Sequence, residues 1–233
     1  MLLALDTATR LASIALYDGQ QLLSEATWHS ARRHTVELMP RVVQMLEQAE
    51  LKPQALSAVA VALGPGSFTG LRVALSVAKG LAVAHDLALL GMPTLDVVAY
   101  PHRWQPLPVC ALVQAGRRRV CWALYGWEED LWQTKGEYLL STVAEVVARV
   151  AATGQETLFS GEIWLGTAAA LQEGLGEQAR LASPALTLRR AGYLAELAWA
   201  RHQRGEQDDP ISLSPIYLHE PAIAKGRSLR AKP

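Results

Sequence analysis

Two stretches of this chain, one in each half, read as the same supersecondary unit, and that repeat limits the folds open to it. Leu2–Leu5 is a short apolar strand, and Asp6-Thr7-Ala8-Thr9-Arg10 is a polar turn. Leu11–Tyr17 is a second strand, Asp18-Gly19 a strong hairpin signal, and Gln21–Thr27 a third strand. The second half restarts the pattern: Val109–Val113 is apolar, Gln114–Arg118 is a polar turn, and Arg119–Tyr125 and Leu131–Tyr138 are strands. Asp6 precedes Tyr17 by eleven residues, and Gln114 precedes Tyr125 by the same eleven. A duplicated antiparallel three-strand meander implies two related lobes, each opening the same way.

The segments between and after the meanders are helix-rich, so the class is α/β. Leu38, Met39, Val42, Val43 and Leu46 recur at helical spacing and predict a helix over Thr35–Ala49, bent at Pro40. Ala58–Leu63 reads as a buried strand, Gly64–Gly70 as a glycine-rich loop, Leu71–His85 as a very apolar helix and Leu87–Gly91 as a strand. Three prolines within Tyr100–Pro108 mark a linker. The second half continues as helix Val143–Ala152, strand Glu156–Phe159, helices Thr167–Glu173 and Ala191–Arg204, and a closing segment Pro215–Leu218. These divide the chain into an N-terminal lobe (1–104), a C-terminal lobe (105–218) and a basic tail (219–233).

Charge narrows the function. Lysine plus arginine equals aspartate plus glutamate at 22 each, which argues against autonomous RNA binding. Met1 leads straight into a strand-like run without a charged region and long apolar core, so no signal peptide is expected. Apolar runs are too short for a membrane span, and a cytoplasmic protein is expected. Cys110 and Cys121 lie in adjacent strand-like runs and read as two buried reduced thiols.

The Asp6 turn is the first chemical candidate. In sugar kinases, actin and Hsp70-type ATPases, a duplicated strand–turn–strand unit presents donors and hydroxyls to phosphate while its carboxylate holds a metal or its water. The plain alternative is an Asx-type turn. The matching second turn offers Gln114 in place of a carboxylate, and a neutral amide is a poor ligand for a hard cation. Gly64-Pro65-Gly66-Ser67-Phe68-Thr69-Gly70-Leu71-Arg72 is the second candidate. It lies between a buried strand and a helix, where Ser67 or Thr69 can cap and glycines allow close backbone approach. It is neither a Walker A loop nor a dinucleotide fingerprint. Asp6, Thr7, Thr9, Gly64, Gly66, Ser67, Thr69 and Gly70 are therefore the candidate phosphate- or nucleotide-binding set, with no catalytic residue assigned.

GPGSFTGLR after an apolar strand, with DTAT near the start, resembles the TsaB (YeaZ) family. His34-Thr35, Gly91-Met92-Pro93-Thr94-Leu95 and Pro215-Ile216-Tyr217-Leu218 add to the likeness, which spans nearly the whole chain. The resemblance implies a two-lobed actin/Hsp70/sugar-kinase-like (ASKHA) fold. It also implies a non-catalytic scaffold in tRNA threonylcarbamoyladenosine synthesis, paired with a catalytic TsaD-like paralogue. A TsaE-like ATPase and tRNA join through that complex. No cofactor is implied for the chain itself; ATP or ADP and Mg²⁺ belong at most to the complex interface. Gln114-Ala115-Gly116 departs from the family's acidic second turn, and His219 stands where arginine is usual. A small ATPase or kinase using Asp6 and the Gly64–Gly70 loop is the alternative.

The first two helices suggest an interface. The expected surface is Met39, Val42, Val43 and Leu46 with Leu71, Leu75, Ala78 and Ala82, used for TsaD binding or for a homodimer; intramolecular core is the rival use of such apolar faces. The six histidines show no HxxxH pair on one helix face, so no metal site is expected. Arg117–Arg119 and Lys225, Arg227, Arg230 and Lys232 read as a solvated turn and tail, or as contacts to tRNA phosphates.

Overall fold

The computed structural model describes residues 1–30, 33–116 and 118–218. Arg117 and the basic tail lie outside the described residues. The first lobe holds β1 (Leu2–Asp6), β2 (Leu11–Tyr17), β3 (Leu22–His29), α1 (His34–Gln48), β4 (Ala58–Gly64), α2 (Phe68–His85), β5 (Ala88–Pro93) and α3 (Thr94–Ala99). The second half of the chain holds β6 (Val109–Gln114), β7 (Arg119–Glu128), β8 (Leu131–Thr134), β9 (Leu139–Thr142), α4 (Val143–Ala151), β10 (Thr157–Gly161), α5 (Leu165–Leu175), β11 (Ala179–Leu181) and α6 (Ala191–Gln203).

The duplication reaches beyond the meander. The first sheet runs β3-β2-β1-β4-β5, with β1, β4 and β5 parallel. The second runs β8-β7-β6-β10-β11, with β6, β10 and β11 parallel. The expected strand Leu131–Tyr138 ends early, at Thr134, and a further short strand, β9, follows it; β8 and β9 both pair with β7. Asp6 and Gln114 end the equivalent strands β1 and β6.

The third helix of each lobe crosses over. α3 lays Leu95, Val98 and Ala99 against Val109, Ala111, Val113, Ala123 and Tyr125 of the second sheet. α6 lays Ala191, Leu194, Ala195 and Ala198 against Leu2, Ala4, Ala15, Ala58, Ala60 and Ala62 of the first. A lobe boundary holding 105–218 together is therefore wrong: α6 and the segments flanking it complete the first lobe. The sequence of β4 shows why. Ala58, Ala60 and Ala62 alternate with Val59, Val61 and Leu63, and strand residues alternate faces. The alanine face lets α6 approach closely, while the larger face meets α1 and α2.

That larger face consumes most of the expected interface. Val42 (1% exposed), Leu46 (5%), Leu75 (6%), Ala78 (0%) and Ala82 (3%) pack in the first-lobe core, and Leu71 (1%) packs on its other side. Only Met39 and Val43 of the eight are exposed. The apolar character of α2 reflects burial against β4. α1 continues through Pro40, which faces solvent in a helix unbroken from His34 to Gln48.

Cys110 pairs with Leu124 and Cys121 with Val113, three positions apart along β7, so the two thiols project from opposite faces of the sheet. Both are buried and unbonded to each other. Burial pushes the Cys121 thiol up to about 11.

Asp96 of α3 ties the lobes together. Its Oδ1 accepts from the hydroxyls of Tyr125 and Tyr138, each at 2.7 Å. Burial raises the Asp96 pKa, while the two tyrosine donors oppose that rise. Removing one donor with Tyr138→Phe is expected to cost about 1.5 kcal/mol of folding free energy, the usual worth of a hydrogen bond to a charged group, read from the urea midpoint at pH 7. Because the folded-state pKa is raised, this acid's contribution to stability falls as pH rises through the ordinary carboxylate range, and the loss is complete above the raised value.

Candidate functional site

A cleft of about 870 Å³ opens between the lobes. The first lobe supplies Thr9, Arg10, Ser30, His34, Thr35 and the loop Pro65–Thr69. The second supplies Gln114–Gly116, Cys121, Glu162 and Trp164, and the closing segment Ile216–Leu218 forms part of the rim. The two sequence candidates, the Asp6 turn and the Gly64–Gly70 loop, do come together on one side of this cleft.

They come together by locking onto each other. Gly66 passes so near the turn that a β-carbon there would lie 2.3 Å from the Ala8 carbonyl oxygen. At Gly70 the corresponding distance to the Thr7 carbonyl oxygen is 2.1 Å. The Ser67 N–H donates to the Ala8 carbonyl at 2.6 Å, and the Thr7 hydroxyl donates to the Gly70 carbonyl at 2.6 Å. Gly64 has φ +107°, a left-handed value that favours glycine, and its N–H donates to Thr94 Oγ1. Ser67 caps α2 by accepting from the Gly70 N–H at 3.3 Å. Thr7, Gly64 and Gly70 are thus committed inside the protein; Ser67 and Thr69 stay exposed on the cleft.

Asp6 does not face the cleft. It is fully buried; one carboxylate oxygen accepts from the Ala8 N–H at 2.8 Å and the other from Arg189 Nε. Arg189, itself buried, also donates to Thr9 Oγ1 at 3.1 Å and to the Leu11 carbonyl at 3.0 Å. The expectation that Asp6 offers its carboxylate to a metal therefore fails, because the guanidinium occupies it; Thr9 accepts from the same guanidinium and still lines the cleft. Arg189 was invisible in the sequence, because nothing local marks a residue on the approach to α6 as the partner of one at the end of β1.

The opposite turn also differs from expectation. Gln114 points inward and donates through Nε2 to the Glu162 carbonyl and to Thr167 Oγ1. Its backbone N–H donates to Glu162 Oε2 at 3.0 Å. Glu162, just past β10, supplies a carboxylate on the side where the turn itself has none. His34 begins α1 and is 7% exposed; burial pushes its imidazole below its ordinary value, which favours the neutral ring. Among the described residues no three His, Cys, Asp or Glu side chains gather into a metal cluster, and no helix is long and apolar enough to cross a membrane.

At the rim, the closing segment is fastened to the loop. The Ile216 N–H donates to the Leu63 carbonyl at 2.8 Å, Tyr217 stacks on Phe68 at 5.3 Å, and Arg72 lies 3.8 Å over Phe68 while donating to the Tyr217 hydroxyl. The role of Phe68 and Arg72 within the loop motif is thus to hold the chain's last described residues.

Fold and site define a class: a two-lobed protein of actin/Hsp70/sugar-kinase architecture whose first-lobe carboxylate is closed by an internal ion pair. Comparison with known proteins gives the family. A family model described as "TsaD: tRNA N6-adenosine threonylcarbamoyltransferase" matches residues 21–224. The chain is 32% identical over 130 residues to the tRNA threonylcarbamoyladenosine biosynthesis protein TsaB of Bacillus subtilis, a match covering 56% of this chain and 57% of that protein. It thus spans a little over half the length of that curated relative. To the TsaB of Haemophilus influenzae it is 28% identical, covering 93% of this chain and 92% of the other. The solved structure of YeaZ from Pseudomonas aeruginosa superposes with a TM-score of 0.77 at 28% identity, covering 93% of this chain and 99% of that one. The chain belongs to the TsaB (YeaZ) family.

Proposed function

We propose that this protein is a non-catalytic subunit in tRNA threonylcarbamoyladenosine biosynthesis, which docks on a TsaD-like catalytic paralogue and supports threonylcarbamoyl transfer to the tRNA adenosine beside the anticodon. A TsaE-like ATPase and tRNA meet it through that complex. The observation that carries the non-catalytic reading is the buried Asp6–Arg189 pair. A phosphotransferase of this architecture needs that carboxylate free for a metal or its water, and a guanidinium in contact with it excludes a second cation by charge and by volume.

The docking face on this reading is the outer side of α1 and α2, smaller than the sequence suggests. Val36, Met39 and Val43 recur at helical spacing on α1 and are 60%, 36% and 46% exposed. On α2, Val83 is 73% exposed, and Gly80 has open space above it. An apolar ridge beside a small-residue gap suits close approach by a partner helix. The double substitution Met39→Glu, Val43→Glu is expected to weaken co-purification with the TsaD-like paralogue of the same organism at least about 100-fold. Two carboxylates would then be desolvated at the centre of the contact. Both positions are exposed, so the isolated protein keeps its thermal midpoint. An intact complex with this variant would refute the docking face.

A further inference from the structure

Far from the cleft, the outer end of the β7–β8 hairpin carries a run of aromatic rings. Trp104, from the linker, is 78% exposed and lies 6.1 Å from Trp127, which is 44% exposed. Trp127 meets Trp132 edge to face at 5.8 Å, and Trp132 stacks on Tyr125 at 6.3 Å. The ridge is built to hold its shape: Trp127 Nε1 donates to the Arg103 carbonyl at 2.7 Å, and Arg103 sits 3.7 Å over Tyr100 and 5.0 Å over Trp104. Cys121, which lines the cleft, is six residues back along the same strand, about 20 Å at strand rise. The ridge and the cleft are separate surfaces.

The turn beside the ridge is acidic. Glu128, Glu129 and Asp130 follow Trp127 directly and are all exposed. From Gly126 to Glu137 there are four carboxylates, those three and Glu137, against one ammonium, Lys135. Among the described residues no ion pair engages Glu128, Glu129 or Asp130. Exposed indole faces attract cations and extended, apolar chain. Carboxylates within a Debye length of about 8 Å reinforce the attraction for a cation and repel phosphate.

We propose that this ridge is a docking surface for an extended segment of a partner protein bearing arginine or lysine. Arginine would stack on Trp104 and Trp127, as Arg103 already lies over the Trp104 ring, and its charge would be met by Glu128–Asp130. Nucleic acid also stacks on tryptophan, but its backbone needs a positive groove, and this surface is negative. The proposal stands independently of the TsaD-binding reading, which concerns α1 and α2.

The test uses the full chain and a fluorescein-labelled peptide of about twelve residues repeating Arg-Pro-Leu, followed by anisotropy. Controls are the same peptide with glutamate for each arginine and a labelled uridine oligomer. The expected result is saturable binding of the arginine peptide alone, at least about tenfold weaker for Trp104→Ala and about fivefold weaker for Glu129→Gln with Asp130→Asn. Trp104 is mostly in solvent, so its loss leaves the fold intact, and unchanged circular dichroism checks this. Absence of saturation, equal binding of the glutamate peptide, tighter binding of the uridine oligomer, or an unchanged affinity in Trp104→Ala would each overturn the proposal.

Discussion

Replacing Arg189 with methionine is expected to lower the unfolding free energy by about 3–5 kcal/mol, the cost of leaving one partner of a buried ion pair without the other. Asp6 is fully buried and retains only the Ala8 N–H as a donor once the guanidinium is gone. Thr9 Oγ1 and the Leu11 carbonyl lose the guanidinium at the same stroke, Thr9 Oγ1 keeping only the Leu11 N–H at 3.3 Å. The double substitution Arg189→Met, Asp6→Asn is expected to recover a large part of the loss, because it removes the uncompensated charge while the amide oxygen still accepts from Ala8. Urea denaturation of the two single variants and the double variant gives the coupling directly. Additive losses would mean that the pair is not the link between the approach to α6 and the end of β1. The loss matters beyond stability. The same turn brackets the start of α2, so loosening it is expected to disturb the helix pair proposed for partner docking.

Much of this architecture was legible because it depends on local period. The paired meanders, the alternating alanines and larger residues of β4, and the helical spacing of Leu38, Val42 and Leu46 all follow from which face of an element is buried. The failures share one cause: they are contacts between residues far apart in sequence. The periodicity of α1 marks an apolar stripe, but it does not distinguish Val42, which packs in the core, from Val43 on the outside; only the position of β4 behind the helix decides that. The short helix α3 follows Pro93 and is only 6 residues long, too short to show a period. Its crossing to the second sheet, and the return of α6 to the first, are set by topology alone. At the candidate site, the glycine motif correctly signalled close backbone approach. What approaches is the chain's own Asp6 turn, and the sequence carries no sign of that.

Substituting alanine at Gly70 is expected to destabilise the protein by about 3 kcal/mol, and it isolates what the glycine motif does. In an exposed helix this change gains about 1 kcal/mol, since alanine orders at less entropic cost. Here the added methyl would lie 2.1 Å from the Thr7 carbonyl oxygen, a backbone atom that cannot rotate away. The overlap must be relieved by moving α2 off the turn or by shifting β1, and core overpacking of this kind costs 1–3 kcal/mol or more. Either movement also stretches the bond from the Thr7 hydroxyl to the Gly70 carbonyl and the one from Ser67 N–H to the Ala8 carbonyl. Gly80, ten residues further along the same helix, is the internal control, because a methyl there meets nothing within 4 Å. Gly80→Ala is expected to raise stability by up to about 1 kcal/mol in the isolated chain. Opposite signs at the two positions, read from urea midpoints, would establish that the motif is kept glycine-rich for backbone packing. Equal stabilisation at both would show that α2 is free of the turn, and that the motif must be explained by a ligand in the cleft.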